Sequence, residues 1–458
     1  MSENGLKHAQ EKMRGDGLPE ASIKVFTDYY HQLESGQTGL IREDSIEPLL
    51  DPPMLEDVEI DDAAARAAFD QTVIIKLNGG LGTSMGLDRA KNLLPVRDGL
   101  TFLDIIVRQV LSAREKYGAR LPLLFMNSFR TAEDTEAALS RYDNLPVDGL
   151  PLGFLQSREP KLLADTLEPV EWPADPSLEW CPPGHGDLYI ALSASGILDR
   201  LVEAGYRYAC VANGDNLGSA PNPRLAGWFA QSGAPYAAEV CRRTVNDRKG
   251  GHLAIRKADN QLILRDTAQT APEEMDFFTD EHRHPFFHTN NLWFDLRVLQ
   301  QTLRERDSVL GLPMIRNEKT VDPADKTSPK VVQIESAMGA AVEVFEGATA
   351  ICVGRDRFQP VKTTNELLLL RSDLYELDAD YLLQATTDHP VEVSLDGDYF
   401  KLVGDFDERM PDPVSLRRAE SFTVKGDWRF GKDVSVEGEV LLETQEPASV
   451  DDGTVLRG

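Results

Sequence analysis

Four glycines fall within ten residues in LNGGLGTSMG, Leu77 to Gly86, directly behind the apolar run Val73–Ile75. Glycine tolerates positive φ and lets backbone N–H groups converge on phosphate oxygens, so a phosphate cradle is the chemistry that suits such a stretch; a flexible turn is the plain alternative. Spacing excludes two familiar cradles. No glycine is followed at the required distance by Gly-Lys-Ser/Thr, and the dinucleotide pattern G-x-G-x-x-G, begun at Gly80 and Gly82, meets Met85 where its third glycine belongs. Lys76, Arg89 and Lys91 stand near enough in sequence to bring positive charge to the stretch.

Local charge matters because the chain as a whole repels anions. Its 76 acidic and 48 basic residues leave a net charge of −28, which disfavours nucleic acid and anionic membrane as partners. Cys181, Cys210, Cys241 and Cys352 are far apart and form no CxxC pair, as suits a reducing compartment. The N-terminal MSENGLKHAQEKMRGDG lacks the apolar core of a leader. No apolar run nears the roughly 18 residues of a membrane helix. The expected location is the cytoplasm.

The elements that must position any such loop follow from periodicity. At 458 residues the chain is expected to divide into two or three domains. Residues 1–70 read as helical, with helical spacing in Ser22–Leu33 and in Glu56–Asp70, and with Pro48, Pro52 and Pro53 marking a connector between them. From Val73 short apolar runs alternate with helix-length segments: TVIIKL, TFLDIIVRQVLSAREKYG, LPLLFMNS, TAEDTEAALSRYD, and later SASGILDRLVEAG, YRYACVANGD, PNPRLAGWFAQSG and APYAAEVCRRT. That rhythm predicts an α/β fold with a mainly parallel sheet, whose ligands bind beyond the carboxyl ends of the strands. The glycine stretch lies at such an end. After about residue 385, Val424, Phe430, Val436 and Leu442 recur every sixth position with Gly426, Gly431 and Gly438 among them. Hexad spacing predicts the coils of a small β-solenoid, and a plain antiparallel β region is the alternative.

Further motifs give the stretch a context. LNGGLGTSMGLDRAKN and RDGLTFLDI are followed in order by FMNSFRTAEDT, PPGHGDLY, NGDNLG, RKGGHL, HTNNLW, QIESAMGAA and RFQPVKTTNELLLLRSDLY. Taken together, over about residues 70–380, the set resembles the eukaryotic-type UTP:glucose-1-phosphate uridylyltransferases, or UDP-glucose pyrophosphorylases. The resemblance implies a Rossmann-like, GT-A-like nucleotidyltransferase domain over residues 71–384, a helical N-terminal region over 1–70, and a left-handed β-helix-like domain over 385–458 that bears on self-association. The implied reaction is attack by a sugar-1-phosphate oxygen on the α-phosphorus of UTP, giving UDP-glucose and pyrophosphate. Such a reaction needs in-line positioning and charge neutralisation rather than a covalent nucleophile, and the chain has no HExxH pair.

The resemblance also assigns residues. Leu77, Gly79 and Gly80 would meet the nucleotide through backbone, with Met126 against the base, Gln156 reading the uracil edge and Gly184 offering a backbone contact. Lys91 and Lys362 would supply charge to the phosphates. Asp215, a carboxylate ending a buried strand, would take Mg²⁺, which accepts one or two protein carboxylates and keeps waters. His185, Asn213, Lys249, Gly250, Gly251, Asn290 and Asn291, with Glu335, would hold the sugar phosphate. The chain departs from the family pattern at Ala90, where a proline is usual, at Gly214, where a serine is usual, at His288, where NTNN is usual, and in the charged loop APEEMDFFTDEHRHPFF. Two rivals remain at this stage. One is a uridylyltransferase for N-acetylhexosamine-1-phosphate or for several hexose-1-phosphates, whose loop would carry an arginine where this chain has Thr83-Ser84-Met85. The other is a non-catalytic nucleotide-sugar-binding regulator, which would not be expected to keep both Lys362 and Asp215.

Overall fold

The computed structural model describes residues 2–244, 247–248 and 250–458. Its centre is a seven-stranded sheet: β1 (Thr72–Asn78), β2 (Leu123–Asn127), β3 (Gly153–Leu155), β4 (Tyr208–Asn213), β5 (Tyr236–Arg242), β6 (Phe286–Asp295) and β7 (Thr349–Cys352). In space the order is β7-β5-β6-β4-β1-β2-β3, and only β6 runs against its neighbours. The sheet is mainly parallel, as expected, with β6 its one antiparallel strand. Strand periodicity explains the two layers of core. Alternate residues such as Ile74, Phe125, Cys210 and Trp293 enter a cluster with helices α4 (Phe102–Tyr117) and α8 (Pro223–Ser232). Their neighbours Val73, Ile75, Val211 and Phe294 enter a second cluster with α6 (Leu188–Ala194) and α7 (Ile197–Glu203).

Helices α1 (Ser2–Gly15) and α2 (Glu20–Glu34) bury Met13, Phe26 and Tyr30 against Val332 and Ile334 of a three-stranded sheet. The helical reading of Glu56–Asp70 is too long: α3 spans only Asp62–Asp70. The Asp61 carboxylate accepts the Ala64 N–H at 2.7 Å, an N-cap that starts the helix there, while Val58 is extended.

Every strand pairing after residue 390 is parallel among the described residues. Val424 lies beside Leu442, three hexads on, but Phe430 lies beside Val450 and Val436 beside Leu456, two residues out of the hexad phase, so the strands pair in parallel rather than antiparallel while the sixfold spacing holds only in part. Phe400, Phe406, Phe422 and Val424 join the same apolar cluster as α4, which thus runs from the central sheet into the C-terminal strands.

Candidate functional site

At the carboxyl end of β1 the chain turns through Gly79–Gly82. Gly82 and Gly86 adopt φ of 68° and 76°, the left-handed conformation that favours glycine, on either side of a short turn at Thr83–Met85. The Lys91 N–H then donates to the Gly80 carbonyl at 3.1 Å, which folds the segment back beneath the glycines. The Gly214 N–H donates to the Leu77 carbonyl at 2.9 Å, drawing the end of β4 alongside. The Lys91 ammonium consequently reaches the Asp215 carboxylate at 2.6 Å and also donates to the Val361 carbonyl. Three segments distant in sequence meet at one lysine.

The opposite wall is built from PPGHGD. Gly184 has φ 78°, and a Cβ there would lie 2.4 Å from the Ser336 carbonyl oxygen; one on Gly186 would lie 2.3 Å from the Ser336 hydroxyl. Both glycines are demanded by the close approach of the strand Lys330–Ser336. The Gln156 amide donates to the Gly184 carbonyl at 2.8 Å and so ties the wall to the end of β3. The Met338 N–H donates to His185 Nδ1 at 2.9 Å, which leaves a neutral ring its proton on Nε2; burial pushes the imidazole pKa below its ordinary value.

Between the walls lies a cleft of about 560 Å³, a size that suits a nucleotide rather than a macromolecule. It joins ten of the residues named from sequence: Leu77, Gly79, Gly80, Lys91, Met126, Gln156, Gly184, His185, Asn213 and Asp215. Gly250, Gly251, Asn290, Glu335 and Lys362 lie outside its lining, and Lys249 lies outside the described residues. Lys362 is exposed, one residue beyond the carbonyl that Lys91 holds. Gly251 presents its carbonyl to the His288 N–H at 2.8 Å, and Asn290, at φ 59°, donates its N–H to His288 Nδ1 at 3.0 Å. Asn291 is fully buried, with its amide bonded to Glu239 and to the Arg357 carbonyl, so it does not face the cleft.

Two charge assignments need correction. Lys76 is 1 % exposed and donates to the Ser219 carbonyl and hydroxyl, with burial pushing its pKa down to about 8; it serves the core. Arg89 is exposed beside Asp88. Sequence reasoning also missed Asn92, Arg130, Lys161, Trp180 and Gln333 in the lining. The departing loop around Arg283 and His284 pairs with Glu43, so its charges are internally matched.

Asp187, which accepts the Ser157 N–H at 2.7 Å, is pushed up to about 6 by burial. A folded-state pKa above the unfolded value means that the fold keeps the proton longer, so stability from this group is present below about pH 4 and is lost as pH rises toward about 6. Asp187→Asn should match the native chain near pH 4 and exceed it above pH 6 by up to about 3 kcal/mol. Melting curves across that range check this; a difference independent of pH would contradict it. A second cavity behind Gly186 and Asp187, about 20 Å³, holds no more than a water.

Residues 23–437 match the family model described as UTP--glucose-1-phosphate uridylyltransferase. The Saccharomyces cerevisiae protein of that name is 38 % identical over 392 residues, covering 85 % of this chain and 77 % of its own. The Hordeum vulgare protein of that name is 37 % identical, covering 86 % and 82 %. Among solved structures, a mutant UDP-glucose pyrophosphorylase from Leishmania major in complex with UDP-glucose matches at a TM-score of 0.92 with 41 % identity, covering 99 % of this chain and 98 % of that one. A UDP-glucose phosphorylase from Trypanosoma brucei matches at 0.89 with 39 % identity, covering 99 % and 100 %.

Proposed function

The chain belongs to the UTP--glucose-1-phosphate uridylyltransferase family, and we propose that it joins UTP to glucose-1-phosphate, forming UDP-glucose and releasing pyrophosphate, in the cleft beside β1, β2 and β4. The observation that carries the proposal is the meeting of the glycine turn, the Gln156–Gly184 link and the Lys91–Asp215 pair in one nucleotide-sized cleft.

In this reading the uracil lies against Met126, with the Gln156 amide and the Gly184 backbone reading its edge, and the glycine turn approaches the nucleotide through Leu77, Gly79 and Gly80. A sugar-phosphate oxygen forms a bond to the α-phosphorus while the bond to the β-phosphate oxygen breaks, and pyrophosphate leaves. Both reactants are anions, so Lys91 and Lys362 contribute by holding positive charge where negative charge accumulates. The sugar phosphate is assigned to His185, Asn213, Lys249, Gly250, Gly251, Asn290 and Glu335. Asn291 supports them from below.

Asp215 fits a Mg²⁺ ligand: it is a partly exposed carboxylate at the cleft, and no group of three or more His, Cys, Asp or Glu occurs among the described residues that would cage a metal without substrate. Held by Asp215, Mg²⁺ would supply charge neutralisation. For the remainder of the chain we propose a helical N-terminal region over 1–70, a catalytic domain over 71–384 and a β-helix-like domain over 385–458 through which copies associate. No helix among the described residues is long and apolar enough to cross a membrane, and a cytoplasmic location is part of the same proposal.

The test is pyrophosphate release from UTP with Mg²⁺ and a panel of sugar-1-phosphates. Release with glucose-1-phosphate is expected. Silence with every sugar would reject the proposal, and faster release with an N-acetylated sugar would move the chain to the rival substrate.

A further inference from the structure

Behind the cleft lies a buried ion pair that the mechanism above does not use. Glu239 is fully buried and Arg357 is 5 % exposed. Arg357 grips Glu239 with two bonds, Nη2 to Oε1 at 2.9 Å and Nε to Oε2 at 3.1 Å. Trp293 Nε1 and the Asn291 amide donate to the same carboxylate at 3.0 and 3.1 Å. Glu239 stands where the pairing of β5 with β6 shifts register, between Ala238 and Val240.

What this pair holds gives it meaning. Arg357 Nη1 donates to the carbonyls of Ala220 at 2.6 Å and Gly218 at 3.3 Å, both on the loop that begins with Asp215. Its own carbonyl accepts from Asn216 at 3.1 Å, and Asn216 in turn accepts the Gln359 N–H at 2.8 Å. Asn216 also forms an isolated bridge with Pro360. A Cβ on Gly218 would lie 2.2 Å from the Asp356 carbonyl oxygen, which shows how tightly the two segments are pressed together. One segment carries Asp215. The other continues to Val361, whose carbonyl Lys91 holds, and to Lys362.

We propose that Glu239 and Arg357 are positioning residues of the uridylyl transfer, fixing the Asp215 loop against the strap that carries Lys362. The proposal rests on the reading that Asp215 and Lys362 serve the reacting phosphates. A rigid fork suits the task because, from the strap itself, its donors reach the Asp215 loop and Glu239 of β5 at once, and a lysine in its place would retain the charge but not the span. Neither residue touches the nucleotide wall formed by Gln156 and Gly184, so the pair should govern turnover rather than UTP affinity.

Two variants test it. Arg357→Lys keeps Glu239 neutralised, and the double variant Glu239→Gln with Arg357→Met removes both charges of the pair together, so that neither is left without the other. In each, kcat is expected to fall about 10- to 100-fold, the loss typical of an ångström-scale misplacement, while KM for UTP and the UTP affinity measured by calorimetry stay within about threefold. Turnover within about threefold of native in either folded variant would overturn the proposal, as would an equal loss of UTP affinity and turnover. Loss of the fold in both variants, followed by circular dichroism, would overturn it too, because the pair would then serve the core and not the site. Failure of the native chain to turn over glucose-1-phosphate would instead reject the proposed function itself.

Discussion

Lys362→Ala is expected to abolish nearly all turnover while leaving the fold intact. Its side chain is exposed, and surface replacements away from caps and cores typically change stability by less than about 0.5 kcal/mol. The backbone around it is fixed independently. Thr363 and Glu366 form a capping box that starts the helix Thr364–Arg371, the Gln359 N–H is held by Asn216, and the Val361 carbonyl is held by Lys91. Alanine therefore deletes a charge and little else. In a transfer between two anions, one well-placed cation is worth on the order of 10³-fold in rate, about 4 kcal/mol. Pyrophosphate release by the variant should fall by about that factor, with a melting temperature within a few degrees of native. A variant that keeps a tenth or more of native turnover would remove Lys362 from the mechanism, and its place beside the cleft, rather than in the lining, makes this a demanding test.

The parts of the site that were legible from sequence are those where one residue type answers a local demand. The glycine turn and Asp215 at a strand end stand out because backbone conformation or strand-end exposure restricts the choice, whereas Gly184 and His185 are assigned only through the resemblance. What lay hidden depends on partners brought together by topology. Glu239, Trp293 and Arg357 sit on β5, β6 and the segment after β7, and nothing local in sequence joins them. A signal existed all the same: Glu239 interrupts the run Tyr236–Cys241, and a carboxylate within a buried strand must find a partner. Lys76 carried the same signal within the run Val73–Leu77 and was read as a charge near the phosphates, when burial demanded the opposite. The helical reading of Glu56–Asp70 is overlong because Glu56, Asp57, Glu59, Asp61 and Asp62 crowd its first half, where no single acidic residue marks the cap.

Gly214 is the second position at which a small change should have a large effect. The resemblance leads one to expect serine here, yet a Cβ on Gly214 would lie 2.0 Å from Asn92 Nδ2 and 2.7 Å from the Leu77 carbonyl oxygen. The first clash involves the end of a side chain that can turn aside; the second involves the backbone of β1, which the Gly214 N–H itself binds. Gly214→Ser should therefore push Asp215 away from Leu77 and from Lys91, reducing turnover by about 100-fold, near 3 kcal/mol. Asn92→Ala alone should be mild, since its Nδ2 is buried without a hydrogen-bond partner among the described residues. Added to Gly214→Ser, it should restore part of the loss but not all, because the Leu77 carbonyl stays where it is. The coupling in this double-mutant cycle measures how much of the departure at Gly214 is accommodated by Asn92. Zero coupling would assign the whole penalty to the backbone, and near-native turnover of Gly214→Ser alone would show that the end of β4 can shift without disturbing Asp215.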